Sequence, residues 1–567
     1  LVEISGVNDM NFLLQVLKAF EYYKNNLIFV DIVVKDETGQ YFEIVKKQID
    51  EELCRMNALN NIRSIAGNVV LINGSEITRE ENSLLNVISV MKFVARDCSS
   101  LKDAVLKLKN GLKELEFEKN DFEIPEKVNI EKLEFDNSFG GFDNDGCEYV
   151  VYNKCTPMPW SNVIANKRFG TIVTNDGCGF TYFYNSSEFK LTSWTNDFVS
   201  NDKSEGFKFN DKIFEPSKCR HGFGYSILEN ETIDLKKEIV EFVSKDDSIK
   251  IFLVKLTNKL KKKNLVDLSF FIKPVCGDVV EKTSRYILSE FIDSDNYLKL
   301  RNVYNKYNDI NVFLSSSLKI NHYDNNSTLL NSIDTKVELE KGEERVISFV
   351  LGCGFSDEEI VSLIKKYTNV NNCVIELEKV KKYWKNTVNT LEVKTSDKSF
   401  NYMVNGWTLY QIISANIMGK TSFSRECGVS FYRDKLQDSI NILMIKPDVL
   451  RQQILINAAH QFMDGDVLHW WSEKEKYGLR GRYKDDSLWL VYSLICYISV
   501  SEDNSILEEK VPYIIGDKLS VYEHEKVISF EYSNNADRLL EHIIKILKKS
   551  MDSIGSHGLP LIGCGDW

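Results

Sequence analysis

Residues 169–175 and 179–185, FGTIVTN and GFTYFYN, are two short runs of β-branched and aromatic residues separated by Asp176, Gly177 and Cys178. The same rhythm returns in KIFLVKL (250–256), LSFFIKP (268–274) and ERVISFVLG (344–352), with Gly, Asn, Asp and Ser clusters between them. β-Branched and aromatic side chains suit a pleated, half-buried surface, and the residues between them are those that tight turns demand. Several such strands predict a large antiparallel β-sandwich over residues 126–355.

Toward the N-terminus the period changes. Residues 11–23 carry apolar side chains at helical spacing, LIFVDIVV (27–34) is short and β-branched, and 43–56 is helical again. A second strand at 67–72 precedes a helix that Thr78 and Glu81 can cap as a box and that is expected to run to Ala95. This predicts a small α/β unit over 1–125, bounded near Pro125. It has no Gly-rich phosphate loop, so it reads as a connector or the tail of an upstream domain.

Toward the C-terminus, Ser356 to Glu359 has the form of a capping box and opens a helical linker over 356–395. Leu377, Val380, Trp384, Val388 and Leu391 share one face of its second helix. From Ser399 onward the chain reads as helical almost throughout, in segments such as 401–418, 449–463, 486–500 and 536–554. Their broad apolar faces and polar-aromatic loops fit an α-barrel or toroid better than a small bundle. The fold class is multidomain α+β.

At 567 residues the chain exceeds what one core serves, and 43% apolar with 27% charged residues excludes disorder. The 83 acidic residues outnumber the 71 basic ones, a net charge of −12, which disfavours nucleic acid and anionic lipid. A neutral polyhydroxylated partner suits this surface better. Twelve cysteines without a C-x-x-C pair argue against zinc and a dense disulfide framework, and point to a reducing compartment. The longest apolar stretch, 488–500, is too short to cross a bilayer, and no signal peptide is seen. Opening at Leu1 and closing on GCGDW, the chain reads as a fragment cut at both ends.

Three clusters in the helical part carry candidate chemistry. In YRDKLQD (432–438), Arg433, Asp434, Gln437 and Asp438 can converge where a helix begins, and an arginine fork or a carboxylate can each hold two adjacent sugar hydroxyls. A helix cap with a surface salt bridge is the alternative. DGDVLHWW (464–471), GLRGR (478–482) and KDDSLW (484–489) bring His469, Trp470, Trp471, Arg480, Arg482, Asp485 and Asp486, flat apolar faces edged by hydrogen-bonding groups. HGLPLIGCGDW (557–567) adds Asp566 and Trp567. In the sandwich, RHGFGY (220–225) places Arg220 and His221 on an expected loop that reaches a neighbouring site, or else forms an ordinary turn. No spacing suggests a metal site.

Taken in order with the segment 156–200, these motifs resemble the signatures of the inverting disaccharide phosphorylases of glycoside hydrolase family 94, over roughly 133–567. Within the family the likeness is to the phosphorylase-like C-terminal part of cyclic β-1,2-glucan synthases. The resemblance implies a β-sandwich, a helical linker and an (α/α)6 barrel, here incomplete over 396–567. It implies reversible phosphorolysis of a β-linked glucooligosaccharide or β-1,2-glucan to glucose 1-phosphate. Inorganic phosphate is then the co-substrate, and neither metal nor cofactor is required. Because phosphate is itself the nucleophile, one carboxylic acid to protonate the leaving oxygen suffices.

By motif position, Arg433, Asp434, Gln437 and Asp438 would hold the transferred glucose, and Trp567, after Asp566, would wall the same subsite. His469, Trp470, Trp471, Arg480, Arg482, Asp485 and Asp486 would line or support it. Arg425 matches a family arginine after a small shift, while Phe431 stands where glycine is usual and Lys190 where arginine is common. The general acid is expected two residues beyond Trp567, so no catalytic residue is assigned and the fragment is expected to be inactive alone. The resemblance also implies homodimers, with Arg220 and His221 as inter-subunit contacts. It places the chain in the cytoplasm, or on the cytoplasmic side of the inner membrane if a glycosyltransferase region precedes it. Two other readings stay open: a non-catalytic glucan-binding module, and an inverting (α/α)6 hydrolase, which needs a second carboxylate.

Overall fold

The two runs at the centre of the sandwich pair with each other, Phe169 opposite Phe183 and Val173 opposite Gly179, in an antiparallel hairpin. The computed structural model describes residues 1–567 except 26–27, 29, 60–67, 112–131, 154–155, 196, 198–202, 325–329, 424, 427, 521, 562 and 565–567. The chain divides into two units, Leu1–Asn129 and Ile130–Trp567. The expected boundary at residue 125 lies outside the described residues.

In the first unit, among the described residues, Val69–Asn73, Ile32–Asp36, Val2–Ile4 and Phe93–Val94 form a parallel sheet in that order. Helices Met10–Asn25, Phe42–Leu59, Arg79–Ile88 and Leu101–Gly111 connect or follow the strands. The capping box is present, with the Thr78 hydroxyl accepting from the Glu81 N–H at 3.2 Å and the Glu81 carboxylate from the Thr78 N–H at 2.8 Å. The helix ends at Ile88, short of the expected Ala95, because Phe93 and Val94 are taken up as strand partners of Val2 and Glu3. Strand Val2–Ile4 was not apparent in the periodicity.

In the second unit the sandwich is built, among the described residues, from a ten-stranded and two five-stranded antiparallel sheets. The long central strands, Leu235–Val243, Ile249–Asn258 and Glu344–Gly354, pair in continuous register. Their inward side chains join a core that includes Phe207, Phe252, Phe270 and Phe349. Inside it lies a buried ion triad: the Lys250 ammonium is 2.6 Å from Glu205 and 2.8 Å from Glu241. Thr181 and Thr192 donate to Glu205 at 2.9 Å each, and Lys250 donates to Thr171 at 3.1 Å, which offsets the desolvation of the charges.

The linker helices are Asp357–Tyr367 and Val370–Val388. Ser356 caps the first, and Leu377, Val380, Trp384 and Val388 are buried on one face of the second. Leu391 lies past the helix end and is exposed. The glycine of RHGFGY at 224 has φ +84°, and a Cβ there would stand 2.3 Å from the Trp384 indole nitrogen, so only glycine lets the linker pack this close.

The part beyond Ser399 departs from the expectation of helix throughout. Helices Lys398–Tyr402, Thr408–Gln411, Tyr432–Asn441, Pro447–Ala458, Lys484–Ser501 and Leu539–Met551 are present. Among the described residues a five-stranded antiparallel sheet stands between them: Ser430–Phe431, Leu468–Ser472, Tyr477–Gly481, Glu525–Arg538 and Lys510–Gly516. The HWW and GLRGR segments, expected as loops, are its hairpin, because Trp, Tyr and Leu gain more from cross-strand pairing than a loop offers. The first helical run widens into π-helical turns at Met403–Trp407 and Ile412–Gly419, a feature often found beside functional sites, and stops at Lys420 in the left-handed region. Tyr410, Tyr182 and Trp407 lock it to the sandwich, donating respectively to Asn162 Oδ1, the Gly419 carbonyl and the Gly146 carbonyl at 2.8 Å each. Among the described residues no helix is long and apolar enough to cross a membrane.

Candidate functional site

Helix Tyr432–Asn441 begins directly after strand Ser430–Phe431. Tyr432, Leu436 and Ser439, at i, i+4 and i+7, are buried and fix its inner face. Asp434, Gln437 and Asp438, at i, i+3 and i+4, therefore share another face and open onto a cavity of about 200 Å³. Its remaining walls are Phe431 and Lys435 with Asn416, Lys420, Thr421 and Ser422. The Lys435 ammonium donates to the Asn416 carbonyl at 2.5 Å, and the Asn416 amide donates to Asp438 Oδ1 at 3.3 Å, which ties the lining together.

Arg433 stands beside this pocket. Its Nη1 donates to Asp485 Oδ2 at 3.1 Å, and its Nε lies 3.7 Å from Asp434 Oδ1. Asp485 is in the first turn of helix Lys484–Ser501, so the arginine joins the beginnings of two helices and holds Asp434 by its charge. The next residue, Asp486, is buried, with Oδ2 2.7 Å from His469 Nδ1. The His469 ring stacks on Tyr483 at 4.0 Å. Burial pushes the Asp486 carboxyl up, and His469 opposes that rise. Among the described residues, Asp486 Oδ1 and the Tyr432 hydroxyl are both buried without a hydrogen-bond partner. Burial, reinforced by the Asp486 charge, pushes the Tyr432 hydroxyl up as well.

The structure thus brings Arg433, Asp434, Gln437, Asp438 and Asp485 together, with Asp486 and His469 as a second pair on the same helix and hairpin. Other expected site residues have different duties. Trp471 is buried and stacks on His460 at 4.0 Å, and it is not part of the lining of the Asp434 pocket. Arg480 is buried too, donating to Asp464 and Asp466 at 2.5 and 2.8 Å and lying 3.9 Å over the Phe462 ring, which leaves its fork committed to the fold. Arg482 donates to the carbonyls of Glu523 and Ser520, each at 2.8 Å, and staples the segment before strand Glu525–Arg538. Trp470 is the cross-strand partner of Phe431 and so shares its sheet face, packed edge-on to Tyr477 at 5.9 Å. Arg425 is placed by its backbone alone, in a short strand pairing with Thr421–Ser422. Asp566 and Trp567 lie outside the described residues.

Arg220 and His221 are not on a loop. They occupy strand Lys218–Gly222 of the ten-stranded sheet, between Tyr225–Glu231 and Glu148–Val151. Arg220 is ion-paired with Glu229 at 2.9 Å and Glu148 at 3.3 Å. His221 is buried, donating from Nε2 to the Trp160 carbonyl at 3.2 Å and accepting at Nδ1 from the Ser226 hydroxyl at 2.9 Å; burial pushes its pKa down to about 4. Arg220 is held by Glu148 and Glu229 of the neighbouring strands, and His221 by Ser226 and the Trp160 carbonyl.

Asn416, Lys420, Thr421, Ser422 and Lys435 were missed as lining residues. The available signal was the sharp end of an apolar helix at Gly419-Lys420 followed by hydroxyl residues just upstream of the YRD motif. Among the described residues no group of three or more His, Cys, Asp or Glu is arranged to hold a metal ion.

A family model for the Glycosyl hydrolase 94 superfamily catalytic domain matches residues 383–531, and one for the Glycosyl hydrolase 94 supersandwich domain matches 147–328. The chain is similar to the cyclic beta-(1,2)-glucan synthase NdvB of Rhizobium meliloti, 30% identical over 484 residues, covering 77% of this chain and 17% of that protein. It is similar to the N,N'-diacetylchitobiose phosphorylase of Vibrio proteolyticus, 23% identical over 468 residues, covering 68% of this chain and 58% of that one. A 3-O-beta-D-glucopyranosyl-beta-D-glucuronide phosphorylase of Paenibacillus borealis is 22% identical over 475 residues, 76% of this chain and 59% of that one. The chain therefore spans about one sixth of the synthase and under three fifths of these phosphorylases.

Proposed function

The chain belongs to the glycosyl hydrolase 94 superfamily, and on that premise we propose that it is the glucan-holding part of an inverting phosphorylase acting on β-linked glucooligosaccharides or β-1,2-glucan, its helices contributing to an (α/α)6 barrel. The observation that carries the proposal is the convergence of Asp434, Gln437 and Asp438 on one small polar pocket with Phe431 as its wall. At about 200 Å³ it lies below the roughly 300 Å³ at which drug-sized pockets begin, and suits a single pyranose ring. Two carboxylates accept from hydroxyl groups, the Gln437 amide both donates and accepts, and the aromatic wall covers an apolar ring face.

In such a reaction inorganic phosphate attacks the anomeric carbon while a carboxylic acid protonates the departing oxygen. In this reading Asp434 and Asp438 hold the transferred glucose in register for that attack. Arg433, braced by Asp485, orients Asp434. The His469–Asp486 pair stiffens the neighbouring hairpin against the helix start.

The test is binding of β-1,2- and β-1,4-linked glucooligosaccharides to this chain, with release of glucose 1-phosphate assayed on it and on any longer polypeptide that carries it. Binding here, and phosphate-dependent release from the longer polypeptide, is the expected result. Sugar release without phosphate would make the protein a hydrolase. Absence of both binding and release would overturn the proposal.

A further inference from the structure

In the sheet beside the pocket, Phe431 stands opposite Trp470 and Ser430 opposite Trp471. Successive side chains of a strand leave by opposite faces. Phe431 accordingly lines the pocket of Asp434, whereas Ser430 and Trp471 line a separate cavity of about 350 Å³. The far wall of this second cavity is the sandwich, through Tyr184, Glu188, Tyr307 and Phe355. Lys420 borders both cavities, so they lie side by side.

Three features of the second cavity point to a ligand. Tyr184 and Phe355 are large aromatic residues left 48% and 47% exposed at its margin, both packed on Phe183 with centroids 4.1 and 6.0 Å away. Tyr184 is kept there at φ +60°, a backbone region that bulky side chains seldom adopt and that glycine would occupy freely. Deeper in, the buried Tyr307 donates its hydroxyl to Glu188 at 2.8 Å while the Lys474 ammonium sits 3.2 Å over its ring. Finally, carboxylates (Glu188, Asp309, Glu473) and ammonium groups (Lys420, Lys474) are mixed along the lining, so no single sign of charge dominates. Ring faces at the rim and hydrogen-bonding groups of both signs within suit a neutral ligand with flat apolar faces and many hydroxyls.

We propose that this cleft is a second saccharide-binding site, in which Tyr184 and Phe355 carry the rings of a neutral β-linked glucooligosaccharide outside the pocket of Asp434. Its volume exceeds that of the first pocket and admits more than one ring. The choice of a glucan rests on the function proposed above; the existence of a separate cleft rests on the geometry.

Isothermal titration of short β-1,2-linked glucooligosaccharides into the 567-residue chain tests it. The expected result is two sites per chain, one lost in Asp434→Ala and the other weakened about tenfold or more in Tyr184→Gly and in Phe355→Ser, the loss of roughly one aromatic contact each. Tyr184→Gly suits the left-handed backbone, so lost binding there is not lost folding, and Tyr184→Phe is expected to bind as the parent does. Unchanged affinity and stoichiometry in Tyr184→Gly and Phe355→Ser would overturn the second site and leave the first standing. Loss of all binding in Asp434→Ala would show one continuous site, also against the inference. A parent chain that binds no glucan would remove both.

Discussion

Replacing Asp434 by alanine separates a sugar grip from a surface ion pair. The Asp434 side chain is about one third exposed, and its contact with Arg433 is long, 3.7 Å, while Arg433 keeps Asp485 at 3.1 Å after the change. Exposed pairs of this kind contribute about 0–1 kcal/mol, so the unfolding free energy is expected to fall by less than about 1 kcal/mol. A carboxylate that accepts from sugar hydroxyls contributes more, about 1.5–3 kcal/mol for a hydrogen bond to a charged group. At about 1.4 kcal/mol per factor of ten, the pocket's affinity for a glucooligosaccharide should drop about 10- to 150-fold. Asp434→Asn keeps the shape and one acceptor and should fall between alanine and the parent. The assay pairs calorimetric binding with urea unfolding of the same preparations. Affinity within about twofold of the parent in Asp434→Ala would refute the grip. A loss of affinity matched by a loss of several kcal/mol in stability would refute it as well, by making Asp434 a structural residue.

Lys250→Met removes the cation from a fully buried triad and leaves Glu205 and Glu241 facing each other, so urea unfolding should show a loss of about 3–5 kcal/mol; a change below about 1 kcal/mol would contradict the geometry. Burial already pushes the Glu241 carboxyl up, and acid lets the mutant neutralise it, so the deficit relative to the parent should shrink as pH falls. His221 stays neutral in the fold, with its pKa pushed down to about 4 against roughly 6.5 when unfolded, so the unfolded chain takes up the proton first. Stability should therefore be lost as pH falls from about 6.5 toward 4, by about 3 kcal/mol from this residue, and a His221→Asn chain should show a shallower slope in denaturation at pH about 7 and about 4.5. Gly224→Ala forces a methyl group to 2.3 Å from the Trp384 indole at φ +84° and should cost about 1–3 kcal/mol, seen as a lower Tm.

Much of the architecture was legible because its signals are local. The alternation in 169–175 and 179–185, the Thr78–Glu81 box and the Trp384 face each report a period or a cap within a few residues, and each is found in the structure. Asp434, Gln437 and Asp438 were read from residue type as converging where a helix begins; the structure puts all three inside that helix, where their spacing gives them one face. The hairpin of Leu468–Ser472 and Tyr477–Gly481 was not legible, because its aromatic residues are as compatible with a binding loop as with a strand until the partner Glu525–Arg538 is known.

Motif order carried the resemblance to the family, and periodicity with turn residues carried the sandwich and a helix beginning at the YRD motif. Only the tertiary structure decided which polar and aromatic residues are spoken for. Arg480 is consumed by Asp464 and Asp466, Trp471 by His460, and His221 by Ser226 and Trp160, whereas Arg433 finds Asp485 from 52 positions away. Residue type and spacing declare what a side chain is able to bind. What it does bind depends on burial and on partners brought from distant parts of the chain, and those are properties of the folded core.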